Sequence, residues 1–264
     1  MIKKLQLIGL IWFLFNLTLQ AGWIVKEKSI EDGSKYQTTR KYFYQDQKLK
    51  LIEKGLVSIF DLNTQTITFM LPDKAFYWKG SATEYNKEFE DVLKESFQRK
   101  ADSLPDVERE MAKATLAYYL AVMNDSTRTD QPLLDMVLIN TGKKAKIAGK
   151  EATMYGLYVN KALKEEFWIS ESVHINSTFD MNKFNILLQL IGNGLAGDLN
   201  KEAGQVFSEL LKKGYLMKTV EYSNKTRFIT EVTGVKEKKL KTKTFLVPGK
   251  YKRVSLKELG LNKP

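Results

Sequence analysis

Residues 55–72 read "GLVSIFDLNTQTITFMLP". Two β-branched and aromatic runs flank a polar turn at Asn63 and Thr64. Alternation puts Ile67, Phe69 and Leu71 on one face and Thr66, Thr68 and Met70 on the other, which predicts a hairpin. Pro72 and Asp73 break the second strand, and "KAFYWKG" resumes it with Phe76 and Trp78 sharing a face and Tyr77 opposite. Ahead of this hairpin, in a mixed aromatic stretch, residues 35–55 alternate as two further strands.

The period then changes. Tyr85, Phe89, Val92, Leu93 and Phe97 recur at helical spacing. Ser103 and Pro105, followed by Asp106 and Glu108, open a second helix whose apolar stripe runs through Val107, Met111, Leu116, Tyr119 and Val122. Residues 81–124 thus read as a helical insertion between strands. Strand pattern returns over 143–172, with turns at Gly149–Lys150 and Asn160–Lys161 and an end near Phe167 and Trp168. Residues 181–214 are helical at both ends around a glycine-rich break and stop at Lys212, Lys213 and Gly214. A hairpin turning at 223–225 and a last strand ending at Pro248 complete one domain over 22–264.

Residues 1–21 stand outside this pattern. Lys3 and Lys4 precede the apolar run 5–17, and "TLQA" ends on Ala21, the design of a secretory signal peptide. The run is short for a membrane span, which needs about 20 residues. No cysteine follows it, so a lipid-modified N-terminus is not expected. The chain has no cysteine at all, and an exported domain without disulfides must be stable through its core. The expected location is the periplasm or outer envelope of a bacterium.

The net charge of +11 is unevenly spread: residues 22–211 carry 25 Lys+Arg against 27 Asp+Glu, whereas 212–264 carry 15 against 4. The asymmetry points to an anionic partner, which after export is a membrane surface contacted by Lys238, Lys239, Lys241 and Lys243. The alternative is that these lysines line the solvent edge of a strand and deter edge pairing. Single-strand nucleic-acid binding is not expected, because the aromatics concentrate before residue 170 and the excess charge after 211.

Catalytic chemistry is sparse. His174 is the single histidine, which removes multi-histidine metal sites. Gly192, Gly194 and Gly197 match G-x-G-x-x-G by spacing but have helical flanks instead of a βαβ unit. The carboxylate pairs Glu90–Asp91 and Glu165–Glu166 have no sequence signal placing them across a cleft. No catalytic residue, metal or cofactor is assigned, and a secreted hydrolase is disfavoured.

Three segments together, "VSIFDLNTQTITFMLPDKAFYWKG", "KIAGKEATMYGLYVNKALKEEFWIS" and "TEVTGVKEKKLKTKTFLVPGKYKRV", resemble the exported bacterial family called domain of unknown function 4412. That family is similar in turn to the periplasmic lipoprotein carriers LolA and LolB. The resemblance implies an α+β, β-dominated fold, a curved antiparallel sheet forming an unclosed half-barrel covered by helices. It also implies an apolar cargo and no catalytic residues. Amphipathic helices such as 104–123 are the expected cover. The candidate pocket residues are Ile67, Phe69, Leu71, Phe76, Trp78 and Trp168, and the expected partner is a lipid or other apolar molecule. The competing expectation is an envelope scaffold protein whose core is filled and whose basic face docks on a membrane or a partner protein.

Overall fold

The computed structural model describes residues 21–124, 135–192, 208–223 and 226–260. Six strands follow one another as a meander: β1 (Trp23–Glu31), β2 (Gln37–Gln45), β3 (Lys48–Glu53), β4 (Leu56–Asp61), β5 (Thr66–Leu71) and β6 (Phe76–Ser81). Helices α1 (Ala82–Asp102) and α2 (Asp106–Asn124) come next, then β7 (Met136–Ile147), β8 (Lys150–Val159) and β9 (Ala162–Ser170). Helix α3 (Met181–Gly192), a helical stretch at 208–213, β10 (Tyr215–Tyr222), β11 (Arg227–Glu237), β12 (Lys252–Arg253) and the single-turn α4 (Leu256–Leu259) finish the chain.

All twelve strands form one sheet in the order β12-β6-β5-β4-β3-β2-β1-β11-β10-β9-β8-β7. Among the described residues every pairing is antiparallel except that of β12 with β6, and the two edges do not pair with each other, so the sheet is an unclosed half-barrel. Tight turns set the register. Asp46–Gln47, Lys54–Gly55, Ala148–Gly149 and Asn160–Lys161 each place two successive residues at positive φ, the geometry whose twist matches that of the flanking strands. Register shifts at Lys26/Glu27, Leu216/Lys218, Leu157/Tyr158 and Asn140/Lys144 add local bend. The curl brings β7 back towards β11, which is not its neighbour in the sheet.

One core cluster runs along the concave face from Trp78 and Ile67 through Phe60, Leu49, Tyr44, Trp23 and Val232 to Met217 and Ala152. Phe179 and Leu187 close it from above. The convex face carries two smaller patches. In one, Tyr155, Phe167 and Ile169 pack under Leu210 of the 208–213 stretch. In the other, Val57, Ile59 and Met70 pack under Phe245, Val247 and Tyr251.

That second cover corrects the expected last strand. Residues 238–251 form a strap with a 3-10 turn at Thr242–Phe245, and the strand beyond it is β12. The apolar convex face of β4 and β5 draws Phe245, Val247 and Tyr251 down on it in place of a ladder. The strap is pinned at its start by buried Leu240, whose N–H donates to Gln45 Oε1 at 2.6 Å and whose carbonyl accepts from Gln45 Nε2 at 3.4 Å.

The helical cover is also corrected. Helix α2 packs on α1, with Val107 76% and Met111 66% exposed; α1 is the helix that lies on the sheet. Both are amphipathic, but α1 starts at the last residue of β6 with no loop between, so the chain delivers it directly onto the concave face. Its start is fixed by a capping box in which Ser81 Oγ accepts from Glu84 N–H and Glu84 Oε2 accepts from Ser81 N–H.

Candidate binding face between sheet and helix

The register of β5 and β6 sets Phe69 opposite Trp78 and Leu71 opposite Phe76, with Ile67 opposite Gly80. Five of the expected pocket residues therefore share one concave surface. Ile67 is fully buried and Trp78 is 2% exposed, while Phe69, Leu71 and Phe76 are half-buried. Gly80 makes room for the Trp78 indole, since a Cβ there would come within 2.7 Å of the ring. Trp168 lies apart, on β9, well along the sheet from β5, where its Nε1–H donates to Glu166 at 3.2 Å.

Above this surface α1 lays Tyr85, Phe89 and Val92, all half-buried. Tyr85 stands 5.7 Å from Phe69 and 5.8 Å from Trp78 between ring centroids, and stacks on Phe89 at 5.7 Å. Helix α3 continues the layer: Phe184 meets Phe60 at 5.1 Å and Phe179 at 5.4 Å. The buried residues of α1 are Ala82 and Ala101, near its two ends. The middle of α1 therefore rests on aromatic rings that are shared between core and surface.

A small set of polar contacts holds α1 down. Glu88 takes a hydrogen bond at 2.9 Å from Trp78 Nε1–H through one oxygen and another at 2.9 Å from the Leu256 N–H, at the start of α4, through the other. Glu95 pairs with Lys257 of the same short helix. Asn86 Nδ2 donates to the Leu190 carbonyl of α3 at 2.7 Å. Sequence reasoning gives no signal for Glu88, because its partners lie 10 and 168 positions away.

Along β1 and β2 the concave face changes from apolar to polar. Trp23 and Tyr44 face each other, then Val25 and Tyr42, then Glu27 and Arg40. Burial pushes the Glu27 carboxyl above its ordinary range, against the pull of hydrogen bonds from Tyr42 and Tyr215 and of the Arg40 charge. Arg40 in turn pairs with Glu53 at 3.1 Å. Tyr44 and Tyr215 share a 3.3 Å hydroxyl contact, and burial raises both phenols.

The carboxylate pairs do not converge. Glu90 pairs with Lys94 on α1 at 2.6 Å. Glu165 and Glu166 point to opposite faces of β9: Glu166 accepts from Tyr222 Oη–H at 2.6 Å, whereas Glu165 faces Glu221 across the ladder. Burial, then the Glu221 charge, pushes Glu165 up to about 7. The folded protein therefore holds a proton that the unfolded chain releases near 4.5, so stability falls as pH rises from about 4.5 to about 7. Glu165→Gln is expected to stabilise the fold at pH 8 by about 1–2 kcal/mol, after allowance for partial exposure, and to change nothing at pH 4. Thermal melts at the two pH values check this.

Lys238, Lys239, Lys241 and Lys243 are all exposed, arranged around Leu240 at the start of the strap. Strand β11 ends at Glu237, so these lysines do not line a strand edge. His174 is exposed, at the N-cap of a 3-10 turn. Gly194 and Gly197 lie outside the described residues, as do residues 1–20 of the expected signal peptide. Among the described residues no group of three or more histidines or carboxylates is placed to hold a metal, and no helix is long and apolar enough to cross a membrane.

A half-barrel with helices laid over its concave face defines the architectural class. The chain belongs to the family of domain of unknown function 4412, whose model matches residues 97–251. No curated protein matches it. Solved structures similar to it include PNGF-II, at 11% identity, 90% of this chain, 32% of that one and a TM-score of 0.36. The Pseudomonas aeruginosa MucA/MucB complex matches at 12% identity, 90% and 59% coverage and a TM-score of 0.36. A LolA superfamily protein from Nitrosomonas europaea matches at 8% identity, 86% and 90% coverage and a TM-score of 0.24. The chain spans about a third of the PNGF-II chain and under three fifths of the MucA/MucB chain it matches.

Proposed function

We propose that this is an exported, non-enzymatic protein of the bacterial envelope that holds a lipid or other apolar ligand between the concave sheet and α1. The observation that carries this reading is the manner of closure. Helix α1 covers the aromatic row Phe69, Leu71, Phe76 and Trp78 with half-buried side chains, and is held by few polar contacts, chiefly those of Glu88. An acyl chain taking the place of Tyr85, Phe89 and Val92 keeps the row out of water while α1 swings on Ser81. In this reading the leader at 1–21 is cleaved, the domain spans 22–264, and the strap lysines face an anionic membrane. Trp168 belongs to a separate part of the concave face and serves the core.

The latch gives the test a sign that a purely structural role does not share. Glu88→Ala leaves the Trp78 indole N–H and the Leu256 N–H without their acceptor and is expected to cost about 1–3 kcal/mol of stability. It also favours the open state, so the apparent affinity for a fluorescent fatty-acid probe is expected to rise by about tenfold for each ~1.4 kcal/mol of latch energy lost. Probe titration and melting of wild type and variant test this, and an unchanged or weaker affinity contradicts the lid.

A second reading, a scaffold with a filled core, draws support from the full burial of Ile67 and Trp78 and from Ile186 and Leu190 of α3, 57% and 46% exposed. It expects no uptake of the probe by either form.

A further inference from the structure

The convex face of β1–β3 holds a shallow cleft of about 390 Å³ whose walls are Lys26, Lys28, Lys41 and Lys54, with Thr39 and Ile52 between them. Lys26 and Lys41 sit directly opposite each other on β1 and β2, and Lys41 sits directly opposite Ile52 on β3. Glu27 and Arg40 also border the cleft, but strand alternation sends their side chains to the concave face, where Glu27 meets Tyr215 and Arg40 meets Glu53. The acid across the ladder from Lys28 is Glu231, and it is engaged by Lys218 at 3.2 Å. Among the described residues none of the four wall lysines has an ion pair.

Like charges directly opposite on neighbouring strands destabilise a sheet. Here two such lysines stand in a cleft with two more cations and no neutralising carboxylate, so the fold maintains a concentrated positive field at some cost. Next to it the Phe43 ring carries Lys41 at 4.8 Å and Lys50 at 5.9 Å, and Lys50 donates to the Thr244 carbonyl of the strap at 3.2 Å, which marks where the strap's cover of the convex face reaches β3. The apolar floor at Ile52 and the hydroxyl of Thr39 suit a ligand with a carbon skeleton and anionic oxygens.

We propose that this cleft is a binding site for a phosphate-bearing anion, with Lys26 and Lys41 as its central contacts. The site is on the opposite face of the sheet from the apolar row and does not depend on the reading of that row. It is also distinct from the strap lysines.

The test uses the chain from residue 22 onward, titrated with inorganic pyrophosphate and, separately, with phosphatidylglycerol vesicles, with phosphatidylcholine vesicles as the neutral control. The variants are Lys26→Gln/Lys41→Gln and, for comparison, the strap variant in which Lys238, Lys239, Lys241 and Lys243 are all glutamine. Wild type is expected to bind at least one phosphate probe in a salt-sensitive way. The cleft variant is expected to bind at least tenfold more weakly, while melting at the same or a higher temperature because a like-charge pair is gone. Binding of pyrophosphate identifies a free phosphate compound as the ligand; binding of vesicles alone identifies a lipid headgroup. The proposal is overturned if wild type binds neither probe, if neutral vesicles bind equally well, or if the cleft variant keeps its affinity.

Discussion

Trp78→Ala is expected to remove about 3–5 kcal/mol of stability, the range for emptying a buried aromatic site. Trp78 is 2% exposed and joins the sheet to α1: it meets Phe69 on the next strand at 6.1 Å, Tyr85 on α1 at 5.8 Å, and Glu88 of the same helix through its indole N–H. Two consequences separate. Trp78→Phe keeps most of the ring and loses the hydrogen bond, and is expected to cost about 1–2 kcal/mol. The difference between the two variants is the packing contribution. Urea unfolding of wild type and both variants measures it, and a difference below about 1 kcal/mol contradicts the assignment of Trp78 to the core.

Gly214→Ala is expected to be as damaging, for a different reason. The helical stretch 208–213 enters β10 with no intervening loop, and Gly214 makes the change of direction at a φ of 155°. A Cβ there would lie 2.3 Å from the Ser170 carbonyl oxygen and 2.7 Å from its carbon, both backbone atoms that cannot move without breaking the pairing of Tyr215 with Ser170. The expected cost is about 3–4 kcal/mol or failure to fold. Circular dichroism and melting of the purified variant check this. Gly149→Ala is the comparison, because no atom lies within 4 Å of the place its Cβ would take and only its φ of 80° opposes the change. Gly149→Ala is expected to cost about 1 kcal/mol.

Legibility in the sequence followed from how cleanly each face is sorted. On β5 and β6 the row Ile67, Phe69, Leu71, Phe76 and Trp78 recurs with period two, so the hairpin and that face are readable there, although Val57, Ile59 and Met70 make the opposite face of β4 and β5 apolar as well. Strand β1 is central in the sheet yet has no clean alternation: its concave side runs Trp23, Val25, Glu27, Ser29 and its convex side Ile24, Lys26, Lys28, Ile30. The mixture arises because the concave face itself turns polar towards one end. The two helices of 81–124 are equally readable as helices, but which of them covers the sheet depends on the absence of a loop after β6, a tertiary fact. The last strand expected to end at Pro248 is a strap instead, because Phe245 and Val247 both turn down on Val57, Ile59 and Met70, a long-range contact that local pattern does not carry.

Charge counted by region misses the lysine cleft altogether. Residues 22–211 are nearly neutral as a whole, 25 Lys+Arg against 27 Asp+Glu, and Glu27 and Glu53 fall between the cleft lysines in sequence. Strand geometry sends those acids through to the other face and leaves Lys26, Lys28, Lys41 and Lys54 together. A face-by-face count along β1–β3 is the signal that could have found them.

If α1 is a lid, the space between it and the sheet is exchangeable for an apolar ligand. Native mass spectrometry of the protein, purified without detergent from the cells that make it, is the decisive check. The expected result is a bound apolar species that organic extraction removes and that the Glu88→Ala variant, reloaded below saturation, takes up to higher occupancy than wild type. A chain that carries no adduct, and takes up none when incubated with an envelope lipid extract, contradicts the lid.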